Sequence, residues 1–293
     1  MKTNAFVRQL ASNKRAVREN ALSTLKKFLS SKEKAKKLDT NELNKLWKGL
    51  FYTMWFCDRP RPQQRLANEL AKLFSESIVD EQFYKFVESF WTIMIKEWRD
   101  LDKWRTDKFL MLMRYVIREC FTRIKNNDWD EKMLTLYLDV LTKVILKDDS
   151  QTPRAITYHI IDVWVDEIEN VIFGEQADEE EEEKNDEVDE ESDQENDENL
   201  EEKHSKKIKE RKELLENQEI PIDALLAPMK ELCGKGHFEA LVKKIRMEVL
   251  NDERLAELDI DTTLPEDSTK EEVADEENDV EEHEEEEWKG FGN

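Results

Sequence analysis

Glycine and proline are scarce in this sequence, six of each among 293 residues, against average usages of about 7% and about 5%. Sheet-rich and doubly wound folds turn the chain tightly and often, and tight turns draw on those two residues. Their shortage, beside many Leu, Lys, Glu and Trp, points to long helices. Cysteine is also rare. Cys57, Cys120 and Cys233 stand far apart with no CxxC spacing, so neither a disulfide framework nor a cysteine metal knuckle is expected, and a reducing compartment is. The four histidines are isolated, and no pair has metal-ligand spacing within a stretch that reads as ordered. Long apolar runs are missing too. The residues after Met1 contain no apolar signal core, and no run approaches the roughly 20 residues needed to cross a bilayer. A soluble intracellular chain, with no membrane partner, is the expectation.

Charge is abundant and unevenly placed. Residues 1–174 carry 31 Lys and Arg against 25 Asp and Glu, a net of +6, whereas residues 175–293 carry 15 against 45, a net of −30. Seven of the eight tryptophans lie in the first part. The chain therefore divides into a helical body at 1–174, an acidic disordered linker at 175–205, C-terminal helices at 206–258 that dock back on the body, and an acidic disordered tail at 259–293. Eighteen acidic residues between Glu175 and Glu202, with one lysine, give the linker neither core-forming side chains nor charge balance.

Apolar spacing locates the helices. Val17, Leu22, Leu25, Phe28 and Leu29 form a stripe after Asn13. Thr40 opens a helix through Leu43, Leu46, Trp47, Leu50, Phe51 and Met54; Pro60 and Pro62 end it, and Pro62 suits the first turn of the next helix, which runs to Phe74. Asp80, Asp102 and Asp130 read as N-caps, and Pro153 as a helix start. The helix after Asp102 is apolar over so much of its girth that it must be packed on two sides. Helix starts near 13, 61, 102 and 153, each with a partner helix between, repeat every 40–50 residues, the length of a HEAT or armadillo unit. The expected fold is all-α, an irregular α-solenoid, with a globular bundle as the alternative. Trp47, Phe51, Trp91, Phe109, Leu112 and Trp164 are the expected core.

No catalytic pattern is present. HExxH, GxSxG, GxGxxG and Walker strings do not occur, and carboxylates are so numerous that close pairs carry no information. Cys57 has no histidine nearby in sequence and reads as a structural thiol. The expectation is a non-enzyme with no cofactor, metal or small-molecule substrate.

Two features stand out. Residues 1–65 hold 16 basic side chains against 5 acidic; Lys14, Arg15, Arg18, Lys26, Lys27, Lys34, Lys36, Lys37, Arg59 and Arg61 are the candidate RNA- or partner-binding residues. The cluster reads equally as a solvated rim, an import signal, or an edge for phosphates. No exposed aromatic platform is evident, so any RNA contact should be to phosphates. The second feature is the segment LWKGLFYTMW, followed by Asp58-Arg-Pro60. Its aromatics are expected mainly in the core, with an interface as the lesser reading, and Gly49 within it would be explained by a close helix crossing.

That segment, with Leu10-Ala-Ser-Asn13 and the basic helix after it, EWRDLDKWRTDKFLMLMRY from Glu97 to Tyr115, and the helices between Ile222 and Leu250, resembles the ribosomal RNA-processing protein 1 family of nucleolar proteins. The resemblance implies a nucleolar, nuclear protein of early large-subunit (pre-60S) precursors, a docked scaffold in ribosome biogenesis whose partners are other assembly factors and pre-ribosomal RNA. It implies that rRNA processing depends on it through assembly, with a separate enzyme making the cut. Two other functions fit the residues: a nuclear adaptor of the import or histone-chaperone kind, using a basic solenoid and acidic tails, and an RNA-processing enzyme.

Overall fold

The computed structural model describes residues 3–10, 12, 14–147, 149–186, 197–234 and 238–264. Among them are thirteen α-helices and no strand. Helices α1 (Thr3–Leu10), α2 (Arg15–Leu29), the single turn α3 (Lys32–Ala35), α4 (Thr40–Trp55) and α5 (Pro60–Lys72) lead into a π-helical turn, Leu73–Ser77. Then come α6 (Asp80–Trp98), α7 (Lys103–Lys125), α8 (Glu131–Val144) and α9 (Arg154–Asp186). The rest comprises α10 (Asp197–Asn217), α11 (Ile222–Leu232), α12 (Glu239–Ile245) with a second π-helical turn at Arg246–Leu250, and α13 (Glu253–Glu257).

The starts follow capping chemistry. Asp39 accepts from the Glu42 amide at 2.7 Å while Glu42 accepts from the Asp39 amide, a reciprocal cap that opens α4 at Thr40. Asp102 accepts from the Trp104 and Arg105 amides, and Asp130 from that of Met133. Asp80 departs from the sequence reading. It is the first residue of α6, not its cap, because its carboxylate is taken by Arg123 of α7.

The helices stack in two rows. One runs α1, α4, α6, α8, α11; the other runs from α2 and α5 through α7 and α9 to α12 and its π turn, with α1 against α2 and α4 against α5. This is the α-solenoid, and the pair α11–α12 continues it past α8 and α9. One apolar core extends from Phe6 to Leu255. Trp47 lies 4.9–5.4 Å from Phe74, Phe86 and Phe90, tying α4 to the π turn and α6; Phe51 stacks on Phe109 of α7 at 4.3 Å. Phe121 of α7 meets Trp164 of α9 edge-on at 5.3 Å. All six side chains named for the core are buried.

Polar contacts set the angles that apolar packing leaves free. The fully buried Glu167 of α9 pairs with Arg114 and Arg118 of α7. Toward the C-terminal helices α9 offers Asp162 to Lys244, Asp166 (which also reaches Arg114 of α7) to Arg254, and Glu169 to both Arg211 and Arg254. The Trp164 indole donates to the Leu225 carbonyl of α11 at 3.1 Å. The C-terminal helices are therefore held by directed contacts as well as by apolar area.

Helix boundaries differ from the expected divisions. Helix α9 continues past residue 174 to Asp186, and α10 starts at Asp197, so helix enters both described ends of the stretch read as a disordered linker. Glutamate is a good helix former, and extending an existing helix avoids the cost of nucleation. Residues 187–196 lie outside the described residues. Ile260 and Leu264, read as tail, pack against the core, and residues 265–293 lie outside the described residues.

Arg254 joins three carboxylates from two elements while remaining 38% exposed. Replacing it with Met is expected to lower the free energy of local opening of α12 and α13 by about 1–2 kcal/mol, with α4–α7 unaffected. Native-state hydrogen exchange checks this; equal protection of α12–α13 in both proteins would contradict it.

Candidate nucleic-acid and partner interface

The first two layers carry the basic cluster, and the fold divides it. Arg15, Arg18 and Lys26 of α2 face α5 across a groove of about 370 Å³, which Arg65 of α5 also lines. Lys34 and Lys37 line a second groove, about 400 Å³, with Phe6, Phe28 and Leu46 from α1, α2 and α4. Lys36 turns to Glu81 of α6 at 2.8 Å. Lys14, Lys27, Arg59 and Arg61 are exposed, and among the described residues none has an ion pair. The ten residues therefore occupy two grooves and the solvent-facing ridges around them, not one continuous edge.

Three of the ten already hold carboxylates. Arg15 pairs with Glu19 at 2.6 Å, Lys26 with Glu69, and Lys36 with Glu81. Such exposed pairs are weak because water and salt screen them, so an incoming phosphate or carboxylate displaces them at small cost. Arg18 is different: its guanidinium donates to the Ser12 carbonyl at 2.8 Å and is held in place.

The reactive side chains are occupied. Cys57 and Cys120 are buried, and burial pushes both thiols up, away from thiolate; the half-buried Cys233 shifts the same way. Buried Lys108 donates to the Trp55 and Cys57 carbonyls, both at 2.8 Å, and burial pulls its pKa down. Half-buried His159 lies 2.9 Å from the Leu110 carbonyl through Nε2, its pKa lowered by burial. His204 contacts Glu257; His237 and His283 lie outside the described residues. Among the described residues no His, Cys, Asp and Glu cluster is arranged to hold a metal, and no helix is long and apolar enough to cross a membrane.

Sequence reasoning missed one surface. Trp104, in the first turn of α7, is 83% exposed, with the Lys103 ammonium 4.9 Å from its ring. Beside it in sequence, Arg105 covers Trp55 at 4.5 Å; Trp55 lies near Tyr52, and Tyr52 near Phe56, itself 42% exposed. Aromatic surface is thus presented where α4 ends and α7 begins, contrary to the expectation that none would be. The signal was helical phase. The stripe Phe109, Leu112, Met113, Val116 extends backward to Lys108 and Arg105, leaving Trp104 off the buried face.

With this geometry in place, comparison with known proteins is informative. The sequence profile described as that of the nucleolar protein Nop52 matches residues 1–291. The chain belongs to the Nop52 family. A mouse protein named ribosomal RNA processing protein 1 homolog B is 40% identical over 168 residues, 57% of this chain and 23% of that protein. Its human counterpart is 38% identical over 57% of this chain and 22% of that protein. A Caenorhabditis elegans protein named ribosomal RNA processing protein 1 homolog is 31% identical over 56% of this chain and 41% of its own length. The chain therefore spans less than a quarter of the two mammalian relatives. The resemblance carried by LWKGLFYTMW and EWRDLDKWRTDKF is a true family relation.

Trp104→Ala in this Nop52-family chain is expected to change stability by no more than about 0.5 kcal/mol, whereas Trp47→Ala should cost about 3–5 kcal/mol by opening a core cavity. Urea unfolding of the two variants checks the contrast. His159 has a folded pKa below its ordinary 6.5. Its contribution to stability is accordingly full above that value and is lost as pH falls toward the folded pKa, since the unfolded chain takes the proton first. His159→Gln should flatten that part of the stability–pH curve, measured by urea midpoints across pH 5–7.

Proposed function

We propose that this chain is a non-catalytic helical scaffold that works in the nucleolus on the precursor of the large ribosomal subunit, and that rRNA processing depends on it through assembly. The observation that carries this reading is the contrast between the two ends of the solenoid. At the C-terminal end Arg211, Lys244 and Arg254 are matched by the acids of α9, while at the N-terminal end Lys14, Lys27, Arg59 and Arg61 face solvent without carboxylate partners among the described residues. A surface of that kind suits a phosphate backbone or an acidic protein, and a stack of paired helices supplies area without moving parts. The relatives' names place them in ribosomal RNA processing, and the family is one of nucleolar proteins. The buried thiols and the engaged Lys108 and His159 offer no assembled nucleophile and base. Its partners on this reading are other large-subunit assembly factors and pre-ribosomal RNA, with no small-molecule substrate and no cofactor.

Co-sedimentation separates this from an adaptor or histone chaperone: the chain should travel with large-subunit precursors, and migration with histones alone would overturn the assignment. RNA cleavage by purified protein would restore the enzyme reading. For direct RNA contact, Lys34/Lys36/Lys37→Ala is expected to weaken binding and to reduce the slope of log affinity against log salt by about one per lysine that touches a phosphate. Unchanged affinity and slope would leave protein partners as the reason for the basic surface.

A further inference from the structure

The groove between α2 and α5 has a floor that phosphate cannot use. Leu22 and Leu66 are apolar, Cys57 is buried, and the Thr53 hydroxyl is already spent on the Leu10 and Gly49 carbonyls, leaving its methyl as the group available to a ligand. Four cations line the groove, Arg15, Arg18, Lys26 and Arg65, against Glu19 and Glu69. Arg18 and Arg65 have no carboxylate partner among the described residues. The ligand that satisfies both parts carries an aromatic or large apolar side chain next to several carboxylates. The second groove is poorer in charge, with two lysines and one glutamate.

The sequence contains one segment of that composition. Residues 281–291 read EEHEEEEWKGF: six glutamates, then Trp288 and Phe291. No other tryptophan lies in the acidic half of the chain, from residue 175 onward. We propose that the α2–α5 groove is the docking site of this segment, with Trp288 or Phe291 on the apolar floor and the preceding glutamates against Arg18 and Arg65. The groove encloses about 370 Å³, and an aromatic side chain seated in it takes about 150–250 Å² out of water. The reach suffices. Twenty-three residues separate Leu264 from Trp288 and span up to about 80 Å when extended, while four steps between packed helix layers amount to about 40 Å. Docking there covers Arg15, Arg18 and Lys26, so RNA must displace the segment to reach them. That consequence, unlike the docking, rests on the RNA reading proposed above.

Carbodiimide, which joins carboxylates to amines at zero length, tests the docking on the full chain. Links from Glu284–Glu287 to Lys26 and Lys27 are expected, and they should be lost both in W288A/F291A and in the surface charge variant R18E/R65E. Links that persist in both variants, fall mainly on lysines 203–212, or do not form would overturn the proposal. Mixing isotopically light and heavy protein identifies the source of the peptide, and links chiefly between unlike chains would overturn docking within one chain. An RNA oligonucleotide supplies the separate arm: W288A/F291A is expected to bind it about 3–10-fold tighter, because a tethered competitor has been removed. Cross-links in protein that binds no RNA would support the docking and remove the RNA reading. Tighter RNA binding without wild-type cross-links would overturn the docking.

Discussion

Helix α7 is packed between α5 and α9, and its sequence places long cations on and beside its buried faces. A cation removed from water without a partner costs several kcal/mol, so each must find an acceptor on a neighbouring element. Lys108 reaches the carbonyls that end α4, Arg123 reaches the Phe74 carbonyl in the π turn together with Asp80, and Lys125 reaches the Val171 carbonyl of α9. Arg114 and Arg118 close on buried Glu167. Apolar stripes bring helices together over a range of angles and offsets; these five side chains add directed contacts that narrow that range. The neighbours of α7 are thereby set, and with α9 placed, its acids are turned toward α10, α12 and α13.

The same requirement explains why the two ends of the stack differ chemically. Beyond α9, Arg211, Lys244 and Arg254 are used in docking against it. At the first two layers there is no acidic helix to consume them, and the exposed pairs that do form are weak. Positive charge on α2, on the turn after α3 and at the start of α5 is left for something outside the helical body. The exposed aromatic side chains at the start of α7 and the end of α4 lie between these regions. Among them Trp55 is held by Arg105 over its ring and by Lys108 on its carbonyl.

Much of this was legible along the chain. Asp102 and Asp130 stand at helix starts because a carboxylate there satisfies amides that the helix cannot, and the stripes through Trp47, Phe109 and Trp164 mark faces that must leave water. Trp104 was not singled out along the chain, although its charged neighbours Lys103, Arg105 and Asp107 and its helical phase both point it outward. Asp80 has the sequence environment of a cap but is claimed by Arg123, 43 residues away. Acidic composition from residue 175 was read as disorder, although α9 carries into it on helix already formed.

Sequence alone determined the helical class, the positions of most helix starts, the core residues, the family and the polarity of charge between the two halves. All of these depend on short-range periodicity, local hydrogen-bond chemistry or residue identity. Tertiary structure alone decided that ten basic residues fall into two grooves and their ridges, that α9 binds partners on both sides, and that an aromatic surface lies open at the start of α7. Each of these depends on which helices become neighbours, and that is settled by packing and by the partners available to buried charges, across separations of roughly 40–90 residues that no local pattern encodes.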